Sequence, residues 1–579
     1  MKKPPYFKTS LAVIAVFILL LVMKSYSTAP TNQQNAATKQ NSTTTQVEKT
    51  EDSLVEDKRV YEGHDGNKVK HVYITVFDQN RVPDNDISFY ELNESYKEYS
   101  NLDDGPKLNI LFETGTDKGP EKSGFIDLGK SSPNASIELR GRSSRLEAQK
   151  SYKIRLSDNG GLWYGQTVLN LNKHADDVTR VRNKLAFDFF KEIPDLISLR
   201  TDFVQLHVKD MTNPNAGDEF VDYGLYTHVE QLNEKALAAR GLNPDGHLYK
   251  AENFEFYRYH DQLKLSDDPT YDKKTFESVL KISGSEQHEE LLTMLDDVND
   301  MSKPFNEVFS KYFNEENYLT WLAVNVMFGN YDTMSTNYYL YSPLNSEKWY
   351  FIPWDFDKAL GRDAERTDDF PSWHLGLQRY WGTVLHKRYL RDPQNVEKLS
   401  KKIDELTAII NEESMAKKID EYRPIVKPYT LRNPDLKYLG IEASEFDSSY
   451  NKLKTVATRY QALYKESLQF PMPIFLHYQR ENNQDVFKWE TSHDLQEDTL
   501  TYHLQISTEP TFQSTILDIK DVKKFSYETD ILKPGRYYWR VLVKDEEGHT
   551  QIPFDYYKDN ARIIHWGVQE IIVAKGASS

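Results

Sequence analysis

The sequence predicts an α+β fold, with a β-rich front, a helix-rich back and a β-sandwich at the C-terminal end. Three observations predict it. Alternating runs separated by Gly, Pro, Asn and Asp clusters dominate residues 60–156, and apolar residues at helical spacing dominate 276–328. Short alternating strands then return beyond Pro471-Met472-Pro473. At roughly 150 residues per unit, 579 residues correspond to three or four structural units. With 39% apolar and 13% aromatic residues the chain has ample material for a core, which excludes global disorder.

In chain order, Lys2, Lys3 and Lys8 precede thirteen consecutive apolar residues, 11–23, and Ser25-Tyr26-Ser27 offers a small-x-small cleavage site. Residues 1–27 therefore read as an export segment, either a cleaved signal peptide or a short membrane anchor. Its uncharged run spans about 22 Å of helix against a hydrocarbon core of about 30 Å. Residues 28–59 are rich in Thr, Asn, Gln and Ser with no aromatic residue, and read as a disordered polar tether. An exported protein without cysteine suits a bacterial cell surface or coat, membrane-anchored or secreted, with the membrane reached only through this segment.

Residues 60–468 read as one large domain. Strands are expected at 71–76, 107–113, 136–139 and 151–156, a helix at 180–192 and a strand at 203–208. Helices follow through 276–328, then two short strands at 338–340 and 349–352, and amphipathic helices at 395–422 and 444–465. Residues 472–575 form the sandwich, with strands at 486–489, 502–507 and 537–543 and turns at Pro534-Gly535 and Glu547-Gly548.

Composition bounds the chemistry. There is no cysteine, so disulfides, thiol nucleophiles and Cys-ligated metals are excluded. The formal net charge of −17 makes nucleic acid an unfavourable partner. Oxygen and nitrogen groups must carry any reaction. The densest polar cluster in an apolar context is Asn330-Tyr331-Asp332-Thr333-Met334-Ser335-Thr336-Asn337, followed after a strand by Trp354-Asp355-Phe356-Asp357-Lys358. Mixed carboxylate and amide oxygens suit a hard divalent cation. Asp332 would accept a hydroxyl proton, while Asn337 and Asp355 or Asp357 would hold metal. The same residues also fit loop-capping carboxylates.

A basic island lies upstream: Arg140-Gly-Arg-Ser143-Ser-Arg, then Gln149-Lys150-Ser-Tyr152-Lys153-Ile-Arg155-Leu156. A glycine flanked by serine hydroxyls and backbone amides can approach a phosphate closely, and a strand-entry lysine can reach it. Alternation puts Tyr152, Ile154 and Leu156 on one face and Lys153 and Arg155 on the other. Lys150 then stands on the apolar side, with Glu230 of Gly224-Leu225-Tyr226-Thr227-His228-Val229-Glu230 as its expected buried partner.

These motifs, with Leu169-Asn-Leu-Asn172, Arg182-Asn-Lys-Leu-Ala186 and Trp349-Tyr-Phe-Ile-Pro-Trp-Asp-Phe-Asp357, resemble in order and spacing the spore-coat protein H (CotH) kinase family. The resemblance implies an atypical protein-kinase-like fold that uses ATP and Mg2+ or Mn2+ to phosphorylate protein Ser or Thr outside the cytoplasm. It implies Asp332 as catalytic acid, Asn337 and Asp355 as metal ligands with Asp357 as rival or second ligand, Lys150 as the phosphate lysine and Glu230 as its orienting partner. Arg140, Ser143, Lys150 and Lys153 become the nucleotide contacts. Arg142 departs from the family's usual Asn, and Gln149 replaces the first of a common Lys pair. Trp489, the Tyr502 strand and Leu532-x-Pro-Gly-x-Tyr-Tyr-Trp-Arg-Val resemble a fibronectin type III module, a spacer or a binder of surface glycan. Two other readings stay open: a catalytically silent coat-assembly protein on the same scaffold, and a carbohydrate-active surface protein using paired acids.

Overall fold

The front of the chain closes a sheet on itself. In the computed structural model, which describes residues 54–97, 105–121, 132–361, 370–481, 484–530 and 532–573, strand β1 (Val69–Val76) pairs in parallel with β7 (Thr201–Asp210) and antiparallel with β2 (Leu108–Thr116). From β7 the order runs through β8 (Val221–Glu230), β6 (Val168–Asn172), β5 (Ser151–Leu156) and β4 (Ala135–Arg140) back to β2, with the two-residue β3 (Gly119–Pro120) at its edge. Inward residues such as Val72, Ile74, Ile110, Ile137, Ile154, Leu169, Leu171 and Val204 fill the ring, as period-two alternation requires. A short helix, Phe89–Glu94, begun by a Ser88/Glu91 capping box, adds Phe89 and Leu92 to that core.

The expected strands are present, 151–156 with its expected bounds and the others with ends moved by one to three residues, and the Arg182–Phe190 helix falls within its expected span. That helix is buried on every side. Its polar residues are tolerated because Arg182 pairs with Asp177, and Lys184 with Asp188 at 2.7 Å. Residues 224–230 belong to strand β8. Within the region expected to be helical, β10 (Leu280–Ile282) intervenes. It joins β9 (His247–Ala251), β11 (Tyr338–Ser342) and β12 (Tyr350–Pro353) in a second, antiparallel sheet of order β10-β9-β11-β12. The buried helix Glu315–Met327 is tied to β12 by Asn317, which accepts from Phe351 N at 2.7 Å and donates to Phe351 O at 3.1 Å. Helices Pro393–Leu406 and Val456–Ser467 pack on it. Glu412–Thr430 and Phe446–Leu453 contribute Ile419, Tyr422, Phe446 and Tyr450 to the same core.

Beyond Pro471, β13 (Leu476–Glu481), β14 (Gln484–Trp489) and β17 (Ser526–Thr529) form a three-stranded sheet, and β16 (Leu517–Val522), β15 (Thr501–Ser507), β18 (Gly535–Lys544) and β19 (Thr550–Gln551) a second one with the further strand Gln569–Val573 on β18; the two share one core around Phe487, Trp489, Leu504 and Trp539. This part rests on the helical part. Met472 and Phe554 belong to the main core, and Trp373 Nε1 donates to Pro553 O at 3.1 Å.

One boundary moves. Residues 54–59, expected in the tether, belong to the body: Leu54 is buried in the main core, and Glu56 receives Arg240 Nε at 2.9 Å. The expected export segment and the rest of the tether lie outside the described residues, among which no helix is long and apolar enough to cross a membrane.

Candidate functional site

A cavity of about 750 Å3 lies between the outer face of β4–β5–β6, the four-stranded sheet and the two acidic loops. Strand alternation builds its basic wall. Tyr152, Ile154 and Leu156 point into the barrel, so Lys153 and Arg155 line the cavity; likewise Leu169 and Leu171 point inward, and Asn170 and Asn172 outward. Burial pushes the Lys153 ammonium down to about 8, with Arg155 adding to the effect and Glu138, opposite it on β4, working against it. Arg140 ends β4, donates to Asn172 Oδ1 at 2.5 Å and lies over the Trp354 ring at 5.5 Å.

Gly141 then turns the chain with φ +87°. That backbone favours glycine, and a Cβ there would sit 1.9 Å from Ser144 Oγ and push the hydroxyl aside in the tight turn that carries Ser143 and Ser144 into the cavity. Arg142 reaches across to Glu252 at 3.0 Å, and Lys250 meets the other oxygen of Glu252 at 2.5 Å.

The acidic wall comes from two loops anchored by aromatic residues. Asp332 sits in the single turn Tyr331–Thr333 after the Glu315–Met327 helix. Asn337 donates to Asp332 O at 2.9 Å and to Asp332 Oδ2 at 3.1 Å, and Lys358 Nζ stands 3.0 Å from the same Oδ2. After β12, Phe356 plunges into the core against Phe187, Phe190 and Phe328, and its N–H donates to Asn183 Oδ1 at 3.1 Å. With that residue held inside, Asp355 and Asp357 on either side both line the cavity. Burial and the Asp357 charge together push the Asp355 carboxyl up to about 6, in spite of Arg140 and His174. His174 Nδ1 lies 3.5 Å from Asp357 Oδ2.

Seven of the nine residues singled out from sequence meet here: Arg140, Ser143, Lys153, Asp332, Asn337, Asp355 and Asp357. Lys150 and Glu230 do not, and their expected pairing is corrected. Lys150 is on the apolar side as expected, but its ammonium donates to the carbonyls of Arg145 and Glu147, both at 2.7 Å, and lies 4.1 Å from the Tyr96 ring centre. Two backbone acceptors and an aromatic face already satisfy that buried charge. Glu230 is fully buried at the end of β8, where Arg200 and Arg240 both bind it, Arg240 Nη2 at 2.6 Å. Burial alone would raise its carboxyl, but the two guanidiniums outweigh it and hold the group at about 2. The lysine that the strand does present to the cavity is Lys153.

Sequence reasoning gave no role to His174, Lys358, Asn170 or Asn172. For the two asparagines a signal existed, because alternation along 168–172 places them opposite Leu169 and Leu171. His174 and Lys358 reach the acids only through the fold. Trp354, left between packing and base stacking, is 4% exposed and packs edge-on against Tyr339.

The donor set fits a divalent cation: the Asp355 and Asp357 carboxylates line the same cavity as the Asn337 amide, whose Nδ2 is committed to Asp332 and whose Oδ1 is the atom that could serve as a ligand. The opposite wall fits phosphate, with Arg140, Lys153, two serines and a tight glycine turn.

Comparison with known proteins gives three findings. The family model described as CotH kinase protein matches residues 137–463. The inner spore coat protein H of Bacillus subtilis (strain 168) is 31% identical over 234 residues, 39% of this chain; the match spans 59% of that relative's length. The solved structure of the Helicobacter pylori proinflammatory kinase CtkA aligns over 54% of this chain and 94% of that one at 11% identity, with a TM-score of 0.22, a likeness too distant to bear on the fold.

Proposed function

Because the chain belongs to the CotH kinase protein family, we propose that it is an atypical kinase that transfers the γ-phosphoryl group of ATP to Ser or Thr hydroxyls of coat or surface proteins outside the cytoplasm. The observation that carries this reading is the meeting of a basic wall and a carboxylate wall across one cavity, with Arg140 and Lys153 facing Asp332, Asn337, Asp355 and Asp357. Likeness to an inner spore coat protein supports a coat or surface location.

In this reading Asp332 accepts the proton of the attacking hydroxyl, and the Asn337 clasp fixes the direction in which its carboxylate points. Lys153 and Arg140 receive the phosphate charge. The Lys153 ammonium, lowered by burial, regains its full charge beside an anion. Asn337, Asp355 and Asp357 are the oxygens that would hold Mg2+ or Mn2+, a cation that offsets phosphate charge when bound. His174, beside Asp357, orients that carboxylate. The C-terminal sheets are read as a fibronectin type III-like sandwich, either a spacer or a binder of surface glycan.

The test is incubation of the full chain with labelled ATP, Mg2+ or Mn2+ and a Ser-rich acceptor, followed by phosphosite mapping. Transfer is expected in the wild type and lost in Asp332→Ala and Asp355→Ala, with far-UV circular dichroism unchanged. Wild-type transfer in both variants overturns the assignment. Absence of metal-dependent ATP stabilisation in the wild type points instead to a silent coat-assembly role.

A further inference from the structure

Far from that cavity in sequence, three aspartates of the C-terminal part converge. Asp494 and Asp498 lie in the connection between β14 (Gln484–Trp489) and β15 (Thr501–Ser507), and Asp545 in the turn between β18 (Gly535–Lys544) and β19 (Thr550–Gln551). One carboxylate oxygen from each lies within 4.8 Å of the others. Calcium takes oxygen ligands at roughly 2.3–2.6 Å, so oxygens on opposite sides of one ion stand about 4.8 Å apart. Three oxygens this close lie within the reach of one such ion.

Burial makes the cluster unusual. Asp494 is 4% exposed and Asp545 5%. Their Oδ1 atoms are oriented by backbone donors: Gln496 N reaches Asp494 at 2.8 Å, and Gly548 N and His549 N reach Asp545 at 2.7 and 2.8 Å. The second oxygen of Asp494, Oδ2, is buried and has no hydrogen-bond partner. An ionised oxygen in that position is costly unless a cation meets it. Among the described residues no lysine or arginine forms an ion pair with any of the three; the His549 ring stands closest, its Nδ1 2.8 Å from Asp545 Oδ2. The charges of Glu546 and Glu547 also bear on Asp498.

We propose that Asp494, Asp498 and Asp545 bind a calcium ion that locks the C-terminal sheets onto the helical part. The location supplies the consequence. The Asp494 connection is one of the segments that touch the preceding body: Met472 N donates to His493 O at 2.8 Å, Gln496 Nε2 donates to Leu468 O at 3.2 Å, and the His493 ring stacks on Trp381 at 5.4 Å. His549, at the Asp545 turn, lies against Phe470 at 5.0 Å. An ion joining these two loops fixes both to residues 468–472, the connection between the parts. His549 acts as an outer partner that orients the Asp545 carboxylate.

The experiment uses the full chain carrying Asp355→Asn and Asp357→Asn, so that the acids of the cavity do not contribute. After EDTA treatment, Ca2+ is titrated to millimolar concentration while melting temperature and Trp-sensitised Tb3+ luminescence are read. The expected result is a rise of several degrees with Ca2+, a Tb3+ signal that Ca2+ displaces, and slower proteolysis within residues 468–473. Asp494→Asn should abolish these effects, and Asp498→Asn, on the half-buried member, should weaken binding roughly tenfold or more. If Asp494→Asn does not fold, Asp498→Asn decides. No Ca2+-dependent rise, or a rise unchanged in Asp498→Asn, overturns the site.

Discussion

Asn337 clasps Asp332 twice, donating through Nδ2 to its backbone carbonyl at 2.9 Å and to its Oδ2 at 3.1 Å, from a backbone with φ +61°. Asparagine tolerates this left-handed conformation better than most residues with a Cβ. The clasp and the backbone demand are therefore separable. Asn337→Ala should lower phosphoryl transfer roughly 100-fold, because Asp332 loses its positioning donor, and should cost about 1 kcal/mol for the strained backbone. Asn337→Gly should match that loss of rate with a smaller loss of stability. Initial rates and urea melts of both variants check the two parts independently, and an unchanged rate in either would refute the clasp.

Lys153 and Lys150 should part company under mutation. Lys153 faces the cavity with its ammonium lowered to about 8, whereas the Lys150 ammonium is spent on two carbonyls and the Tyr96 ring. Lys153→Ala should raise the KM for ATP at least tenfold, with a melting temperature near wild type. Lys150→Ala should leave the KM within about twofold and lower stability by about 1–3 kcal/mol, the cost of unpaired buried carbonyls. The reverse pattern would restore Lys150 as the phosphate lysine.

Local pattern reached most of this cavity because alternation and short spacing decide which residues share a face. Lys153 and Arg155 follow from the pleat of β5, and the Asp332–Asn337 and Asp355–Asp357 pairs lie within single loops. Partners remote in sequence were not legible. Glu230 meets Arg200 and Arg240, 30 and 10 residues away, and no periodicity marks those arginines. Closure of the barrel depends on β1 pairing with both β2 and β7, a choice set by the whole ring. Lys150 illustrates a different limit: its face was readable, but the carbonyls that satisfy it belong to a turn whose shape depends on Gly141 and Ser144.

The Glu230 group should show in the acid limb of stability. Its carboxyl sits at about 2 in the fold, against an ordinary 4.5. A lowered carboxyl contributes stability that is complete above the unfolded value and is lost as pH falls through the folded one, here between about pH 4.5 and 2. The contribution at neutral pH is about 3 kcal/mol. Glu230→Gln should therefore be less stable than wild type by about 3–5 kcal/mol at pH 7, since buried Arg200 loses its counter-charge and Arg240 keeps only Glu56. The gap should close as pH approaches 2, which urea melts at stepped pH read directly; a gap independent of pH would remove the ionic part of the argument.

Gly224 should be among the least replaceable residues of the barrel, for a reason that lies in the helical part. It has φ +87°, and a Cβ on it would stand 2.1 Å from Asp435 Oδ2 and 2.6 Å from Lys173 Nζ. Those two groups form a buried pair at 2.9 Å, and Asp435 Oδ2 also accepts from Leu225 N at 2.8 Å, so the segment after the Glu412–Thr430 helix is pinned to β8 through the space that a side chain would occupy. Gly224→Ala should cost about 4 kcal/mol or more, combining roughly 1–2 kcal/mol of left-handed backbone with the disturbance of a buried ion pair. Gly217→Ala, where a Cβ meets nothing within 4 Å, should be near neutral. Urea melts of the two variants set the scale. If Gly224→Ala is as mild as Gly217→Ala, then Asp435 can move aside at little cost, and the contact is not what holds the barrel to the helices.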